Sequence, residues 1–332
     1  MHLLIFLVMK LTLGAIQCLV LLTFWSCHQG SGRQPLAGLL LDSYEHDHWK
    51  TDSSLLAKEF ADAGTELLVR VSEGDAALQL KQAHELIAAG VSVLVVMAVD
   101  QNKASAIVDI CKQYGVTIIA YDRLINKCDL DYYVSYNHVA IGRQQAEFVI
   151  ENVARPELCI IGGSIHDHNA FMIQAGQSGV LDQYFASGKL IIHGNVFTEH
   201  WSEEEGFSLA YSLLKKFPDI NTVLAANDAI AGGVARAAQE LGHRKLVITG
   251  MGADSSALQR IVRGEQTMTI YKPQSQLAMI TANLASDICN KDSVEISQRE
   301  YSAVNNGFKD VRSLLVSSLI IDSSNVSVML AN

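Results

Sequence analysis

Short apolar runs that stop on a hydrogen-bonding residue recur along this 332-residue chain, and they constrain its fold more than any other feature. Thr117-Ile-Ile-Ala-Tyr121 stops at Asp122-Arg123, and Thr222-Val-Leu-Ala-Ala226 stops at Asn227-Asp228. Leu158-Cys-Ile-Ile-Gly-Gly163 stops at Ser164, with Asp167 and Asn169 just beyond; Leu36-Ala-Gly-Leu-Leu-Leu41 stops at Asp42. Hydrophobicity that is continuous rather than alternating marks parallel strands covered by helices on both faces. In such sheets ligands sit outside the carboxyl ends of the strands. A ring of Asp, Asn and Arg at those ends suits a small, uncharged ligand with many hydroxyls, such as a sugar.

Ten strand-like runs can be read, at 36–41, 66–71, 91–99, 116–121, 132–135, 158–162, 189–196, 222–226, 245–249 and 267–271. Helical periodicity lies between them: residues 76–89 place Leu78, Leu80, Ala83 and Ile87 at three- to four-residue steps, and 204–217 and 229–241 behave alike. The expected fold class is α/β, doubly wound. Ten strands exceed one comfortable sheet, so two lobes are expected, with 132–143 as a first crossing between them. The polar Ser135-Tyr-Asn-His138 suits a hinge better than a buried strand.

A formal net charge of -10, without Lys/Arg runs, argues against nucleic acid or an anionic membrane surface as the main partner. Residues 11–24 read as the apolar region of an export signal behind Lys10, ending at Ser26-Cys27. That segment resembles a bacterial lipoprotein signal (residues 1–27), in which Cys27 is lipidated and becomes the mature N-terminus. An uncleaved membrane anchor is the other reading, since the apolar run is long enough to cross a bilayer. Both place the remainder in the periplasm or cell envelope. Cys111, Cys128, Cys159 and Cys289 are scattered without C-x-x-C spacing, so buried thiols are expected rather than a zinc or redox motif.

Asp122-Arg123 can specify a sugar edge, the carboxylate accepting from adjacent hydroxyls and the guanidinium donating in a fork. In Asn227-Asp228, Asp228 is expected as the N-cap of the next helix, and Asn227 as the ligand contact. The loop after 158–162 is neither G-x-G-x-x-G nor a P-loop, so direct contact through Asp167 and Asn169 is expected rather than phosphate binding. Trp49 and Trp201 stand beside polar residues and in no apolar stripe, so each is expected to stack on a face of the sugar ring, one from each lobe. The pairs His46/His48 and His166/His168 raise zinc as a rival, but H-D-H in an extended segment has no known ligand geometry, and no metal site is assigned. Nor is a cofactor or catalytic centre: G-x-S-x-G, H-E-x-x-H and Rossmann fingerprints are missing.

Four stretches carry a family resemblance: Ile119-Ala-Tyr-Asp-Arg-Leu-Ile-Asn126, Ala226-Asn-Asp-Ala-Ile-Ala-Gly-Gly233, Gly264-Glu-Gln-Thr-Met-Thr-Ile-Tyr-Lys-Pro273 and Asn305-Asn-Gly-Phe-Lys-Asp-Val311. With the residues above, in this order, the chain resembles the xylose-binding branch of the ribose-type periplasmic sugar-binding family. The resemblance implies two α/β lobes joined by three crossing strands. Lobe I then takes 36–140 plus 275–317, and lobe II 141–274 plus 318–332. It implies sugar contacts at Trp49, Asp122, Arg123, Asp167, Asn169, Trp201, Asn227 and, added by the resemblance alone, Lys272. It further implies a monosaccharide ligand, a closed form read by an ABC sugar permease and no enzymatic turnover; a membrane sensor or histidine kinase is the alternative reader. Two positions depart from the family pattern. His48 stands where an Arg precedes the first Trp, and Gly252, in Gly250-Met-Gly-Ala-Asp254, stands where the family has a carboxylate.

Overall fold

The computed structural model describes residues 35–330 apart from 45, 46 and 244; at 47 and 48 it describes the backbone only. Cys27 and the leader, His46 and the His48 side chain therefore lie outside the described residues. Along the chain come β1 (Leu36–Leu41), α1 (Asp47–Asp62), β2 (Glu66–Val71), α2 (Ala76–Ala89), β3 (Val93–Val96), α3 (Ser105–Tyr114), β4 (Thr117–Tyr121) and β5 (Tyr132–Tyr136). Next are α4 (His138–Asn152), β6 (Glu157–Ser164), α5 (His168–Ala186), β7 (Ile191–Thr198), α6 (Glu203–Lys216), β8 (Thr222–Ala225) and α7 (Asp228–Leu241). Then follow β9 (Val247–Ile248), α8 (Ser255–Arg263), β10 (Met268–Tyr271), α9 (Gln274–Cys289), α10 (Ser293–Gln298), β11 (Ser302–Asn305), β12 (Asp310–Val316), β13 (Leu319–Asp322) and α11 (Val326–Leu330).

The first sheet has the order β11-β12-β5-β4-β3-β1-β2, parallel except for the β11–β12 hairpin. Its register explains the unbroken hydrophobicity. Leu39, Val95 and Ile119 lie in one cross-strand row and join the core on one face, under Leu56 and Phe60 of α1 and Leu277 of α9. Leu40, Val96 and Ala120 lie one residue on and face the opposite core, under Leu86 of α2 and Ile107 of α3. With both faces covered, no position in these strands favours a polar side chain.

The second sheet is parallel in the order β7-β6-β8-β9. Backbone bonds from Thr267 N to Ile248 O (3.0 Å) and Ile270 N to Gly250 O (3.2 Å) carry it on to β10, which pairs antiparallel with β13. Helices α4 and α5 cover one face through Ala146, Val149 and Leu181; α6 and α7 cover the other through Ala210, Leu214 and Val234. The chain passes between the sheets three times: from β5 to α4 at Asn137, from β10 to α9 at Lys272-Pro273, and from β12 to β13 at Ser317-Ser318. The architecture is α/β, two doubly wound lobes joined by three crossings. The segment 302–322 supplies three strands that the apolar-run reading did not anticipate. Among the described residues no helix is long and apolar enough to cross a membrane.

Candidate functional site

The carboxyl ends of β1, β4, β6, β8 and β10 gather around the crossings, and the residues just beyond them meet there. Asp122 follows β4 in a left-handed conformation (φ 60°), which Asp tolerates better than most residues. The turn is held by Asp122 N donating to Val134 O at 2.9 Å. The Asp122 carbonyl accepts from Tyr133 Oη at 2.9 Å, Ser135 Oγ at 2.8 Å and Asn169 Nδ2 at 3.3 Å, the last from the other lobe. Its carboxylate is buried, and Oδ1 has no hydrogen-bond partner among the described residues.

Arg123 is more than the local ion pair its position would allow. Its Nη1 donates to Asp42 Oδ2 at 2.7 Å and to Ala98 O at 2.9 Å, and Nε stands 3.9 Å from Asp167 Oδ2 across the cleft. Burial works against the charge, but Asp167 and Asp42 outweigh it and lift the guanidinium above its usual pKa. Arg123 Cζ lies 5.3 Å from the centre of the Trp49 ring, a cation–π contact.

Trp49 corrects an expectation. It is 3% exposed and belongs to an apolar cluster with Tyr121 and Tyr136 of the first lobe and Met251 of the second, so core packing is part of its role. Lys50, next to it in sequence, is exposed on α1, so a polar neighbour says little about the side chain beside it. Trp201, half-buried at φ 57°, packs against both that cluster and the core of the second lobe. The ring lies on Gly163, where a Cβ would stand 2.1 Å from ring atom Cη2, so the Gly162-Gly163 pair serves close approach rather than phosphate.

Asp167 caps α5, its Oδ1 accepting from Asn169 N at 2.9 Å and from Gln101 Nε2 of the first lobe at 3.4 Å. Gln101 Oε1 in turn accepts from His168 N at 2.8 Å. The cap expected at Asp228 falls one residue earlier. Asn227 is the N-cap of α7, its Oδ1 accepting from Ile230 N at 2.8 Å, while Nδ2 donates to Trp201 O at 3.3 Å. Asp228 is fully enclosed. Oδ1 accepts from Gln266 Nε2 at 2.8 Å; Oδ2 accepts from Thr269 Oγ1 at 2.9 Å and Asp254 N at 3.3 Å. Burial, then the charge of Asp254, pushes its pKa up to about 6.

The third wall is the hinge. Lys272 Nζ sits 4.8 Å above the centre of the Tyr136 ring. Asp52, buried on α1, accepts from Tyr121 Oη at 3.1 Å and Gln274 Nε2 at 3.3 Å; burial, then Asp122, raises its pKa to about 7. Tyr136 and His138 are each 3% exposed, and neither Tyr136 Oη nor His138 Nδ1 has a partner among the described residues. Asn169 Oδ1, in a residue 4% exposed, is in the same condition. Buried polar atoms are nearly always hydrogen-bonded, so a group of them in one cleft marks where a polar ligand fits.

Trp49, Asp122, Arg123, Asp167, Asn169, Trp201, Asn227 and Lys272 are thus brought into one neighbourhood. The sequence reading missed Tyr136, His138, Gln101 and Asp52. Tyr136 and His138 carry the same signature as the others, a polar residue closing an apolar strand. Among the described residues no cluster of three or more His, Cys, Asp or Glu is arranged for a metal, and His166 Nε2 pairs with Glu199 at 2.9 Å on the surface. Cys111, Cys128 and Cys159 are buried thiols.

Residues 37–293 match the model of the periplasmic binding protein domain. The chain belongs to the periplasmic binding protein family. Relatives include the D-xylose-binding periplasmic proteins of Haemophilus influenzae and Escherichia coli, each 32% identical with 87% of both chains covered. The multiple sugar-binding periplasmic receptor of Rhizobium radiobacter is 26% identical. Among solved structures, a carbohydrate transporter solute-binding protein from Chloroflexus aurantiacus in complex with D-glucose superposes with a TM-score of 0.80 at 26% identity, covering 89% of this chain and 94% of that one. Its family and these relatives are described as binding proteins, not as enzymes.

Proposed function

We propose that this binding protein captures a monosaccharide between its lobes outside the cytoplasmic membrane and presents it to an ABC sugar permease. The observation that carries the reading is the set of buried, unpartnered polar atoms drawn from both lobes and the hinge, Asp122 Oδ1, Asn169 Oδ1, Tyr136 Oη and His138 Nδ1. Sugar hydroxyls both donate and accept, so they can serve carboxylate, amide, phenol and imidazole alike. Arg123 and Lys272 supply charged donors, and Trp201 covers an apolar ring face. Because both lobes contribute, the sugar binds the closed form better and shifts the equilibrium toward it. The moving bodies are 36–140 with 275–317, and 141–274 with 318–332, turning about the three crossings. The protein is held at the membrane through a lipid on Cys27; Cys27→Ser then releases it to the soluble fraction, and retention points to an uncleaved anchor.

The reading is tested by calorimetry and thermal shift with a panel of pentoses and hexoses. A bound sugar at 100 times its Kd stabilises the fold by about 2.7 kcal/mol, easily read as a rise in Tm. Trp201→Ala is expected to remove that response; because the ring packs on both apolar clusters the unliganded Tm falls, but the protein still folds. An unaltered affinity in the variant removes Trp201 from the site, and no response from the parent protein to any sugar overturns the reading.

A further inference from the structure

Side chains that can read ring hydroxyls are already present on the two lobes: Asp122 and Arg123 on one, Asp167, Asn169 and Asn227 on the other. Tyr136 and His138 add two more, at the end of β5 and the first turn of α4. Their rings meet edge-on, with centroids 6.3 Å apart, and Lys272 Nζ closes the group from above the Tyr136 ring. Both side chains are buried, and each keeps one polar atom unpartnered. Both are electrically neutral. Burial raises the Tyr136 phenol far above its usual range, and burial, then Lys272, pulls the imidazole of His138 down to about 3. A neutral phenol and a neutral imidazole each both donate and accept, which matches a freely rotating primary hydroxyl.

We propose that Tyr136 and His138 form a subsite at the β5–α4 crossing that reads the exocyclic hydroxymethyl group of an aldohexopyranose. The cleft therefore prefers a hexose to the pentose that lacks only that group. The inference rests on the monosaccharide reading above and adds the class of sugar. A pentose leaves both buried atoms without a partner, the situation in which a polar site discriminates most strongly.

Four sugar pairs differ only in this group: D-glucose and D-xylose, D-galactose and L-arabinose, D-mannose and D-lyxose, D-allose and D-ribose. Calorimetry on the parent protein is expected to show, in the pair that binds, a hexose preference of about tenfold or more. Tyr136→Phe removes one oxygen and keeps the ring; His138→Phe keeps a ring of similar shape. Each is expected to bring the preference within about threefold, by weakening the hexose more than the pentose. Thermal unfolding checks that both variants fold. A pentose bound as tightly as its hexose by the parent protein overturns the proposal and leaves the monosaccharide reading standing, as does a preference that survives in both variants. No binding of any of the eight sugars overturns both.

Discussion

Asp122 and Asp228 hold corresponding places in the two lobes, each a buried carboxylate just beyond a parallel strand. Their surroundings differ. Both oxygens of Asp228 are engaged by Gln266, Thr269 and the Asp254 amide, all within its own lobe. Asp122 engages its neighbours through its backbone and keeps a side-chain oxygen unpartnered. Two identical side chains on similar scaffolds thus hold different jobs, one fastening α7 to β10, the other facing the cleft. Hydrogen-bond capacity left over after the protein's own partners are counted, and not residue type, separates a binding group from a structural one.

The hardest test of this contrast is Asp228→Ala. It strands the Gln266 amide, the Thr269 hydroxyl and the Asp254 N–H, so a loss of about 3–5 kcal/mol is expected in urea unfolding. Sugar affinity of the folded protein should stay within about threefold. A large loss of affinity at unchanged stability would erase the distinction. Asp122→Asn is the reciprocal change, since Asn also tolerates the left-handed turn. It should weaken sugar binding by about 10- to 100-fold in calorimetry and move Tm little.

Gly252→Asp places a carboxylate where the family resemblance implies one. In this chain Gly252 has φ 133°, and a Cβ would lie 3.2 Å from Asp228 Oδ2. Strain and like-charge repulsion are expected to lower stability by about 1–3 kcal/mol without any gain in affinity for D-xylose. A gain would show that Asp228 is less firmly held than its partners imply.

The smallest effect is in pH. Asp52 has a pKa raised from 3.8 to about 7, so its contribution is fully present below 3.8 and lost as pH rises through 7. Asp52→Asn should therefore stabilise the protein more at pH 8 than at pH 5, by a few degrees in Tm. Equal shifts at both values would mean that Asp52 is not held in the buried, uncharged state.

Much of the fold was legible because parallel strands under two helical layers are apolar throughout, and β1, β3, β4 and β8 announce themselves. β11 does not, since Ser302-Ala-Val-Asn305 is a largely exposed edge strand. Asp122, Arg123, Asp167, Asn169 and Asn227 could be picked out from their place after strands, whereas Lys272 came from the family resemblance alone. What remained hidden depends on partners distant in sequence. Asn and Asp are equally good caps, so the dipeptide 227–228 does not say which one caps. The partners that settle it lie 26 to 41 residues away from Asp228. Trp49 was misjudged for the same reason, its packing being set by β4, β5 and Met251 rather than by its flanking polar residues.

The bonds from Gln101 to Asp167 and to the His168 amide, and from Asn169 to the Asp122 carbonyl, tie one half of the molecule to the other using protein atoms alone. At about 0.5–1.5 kcal/mol each, they favour the shut shape whether or not cargo is aboard. Under the proposed function, a fraction of empty molecules would then already wear the form a permease docks, and the permease would have to tell full carriers from vacant ones.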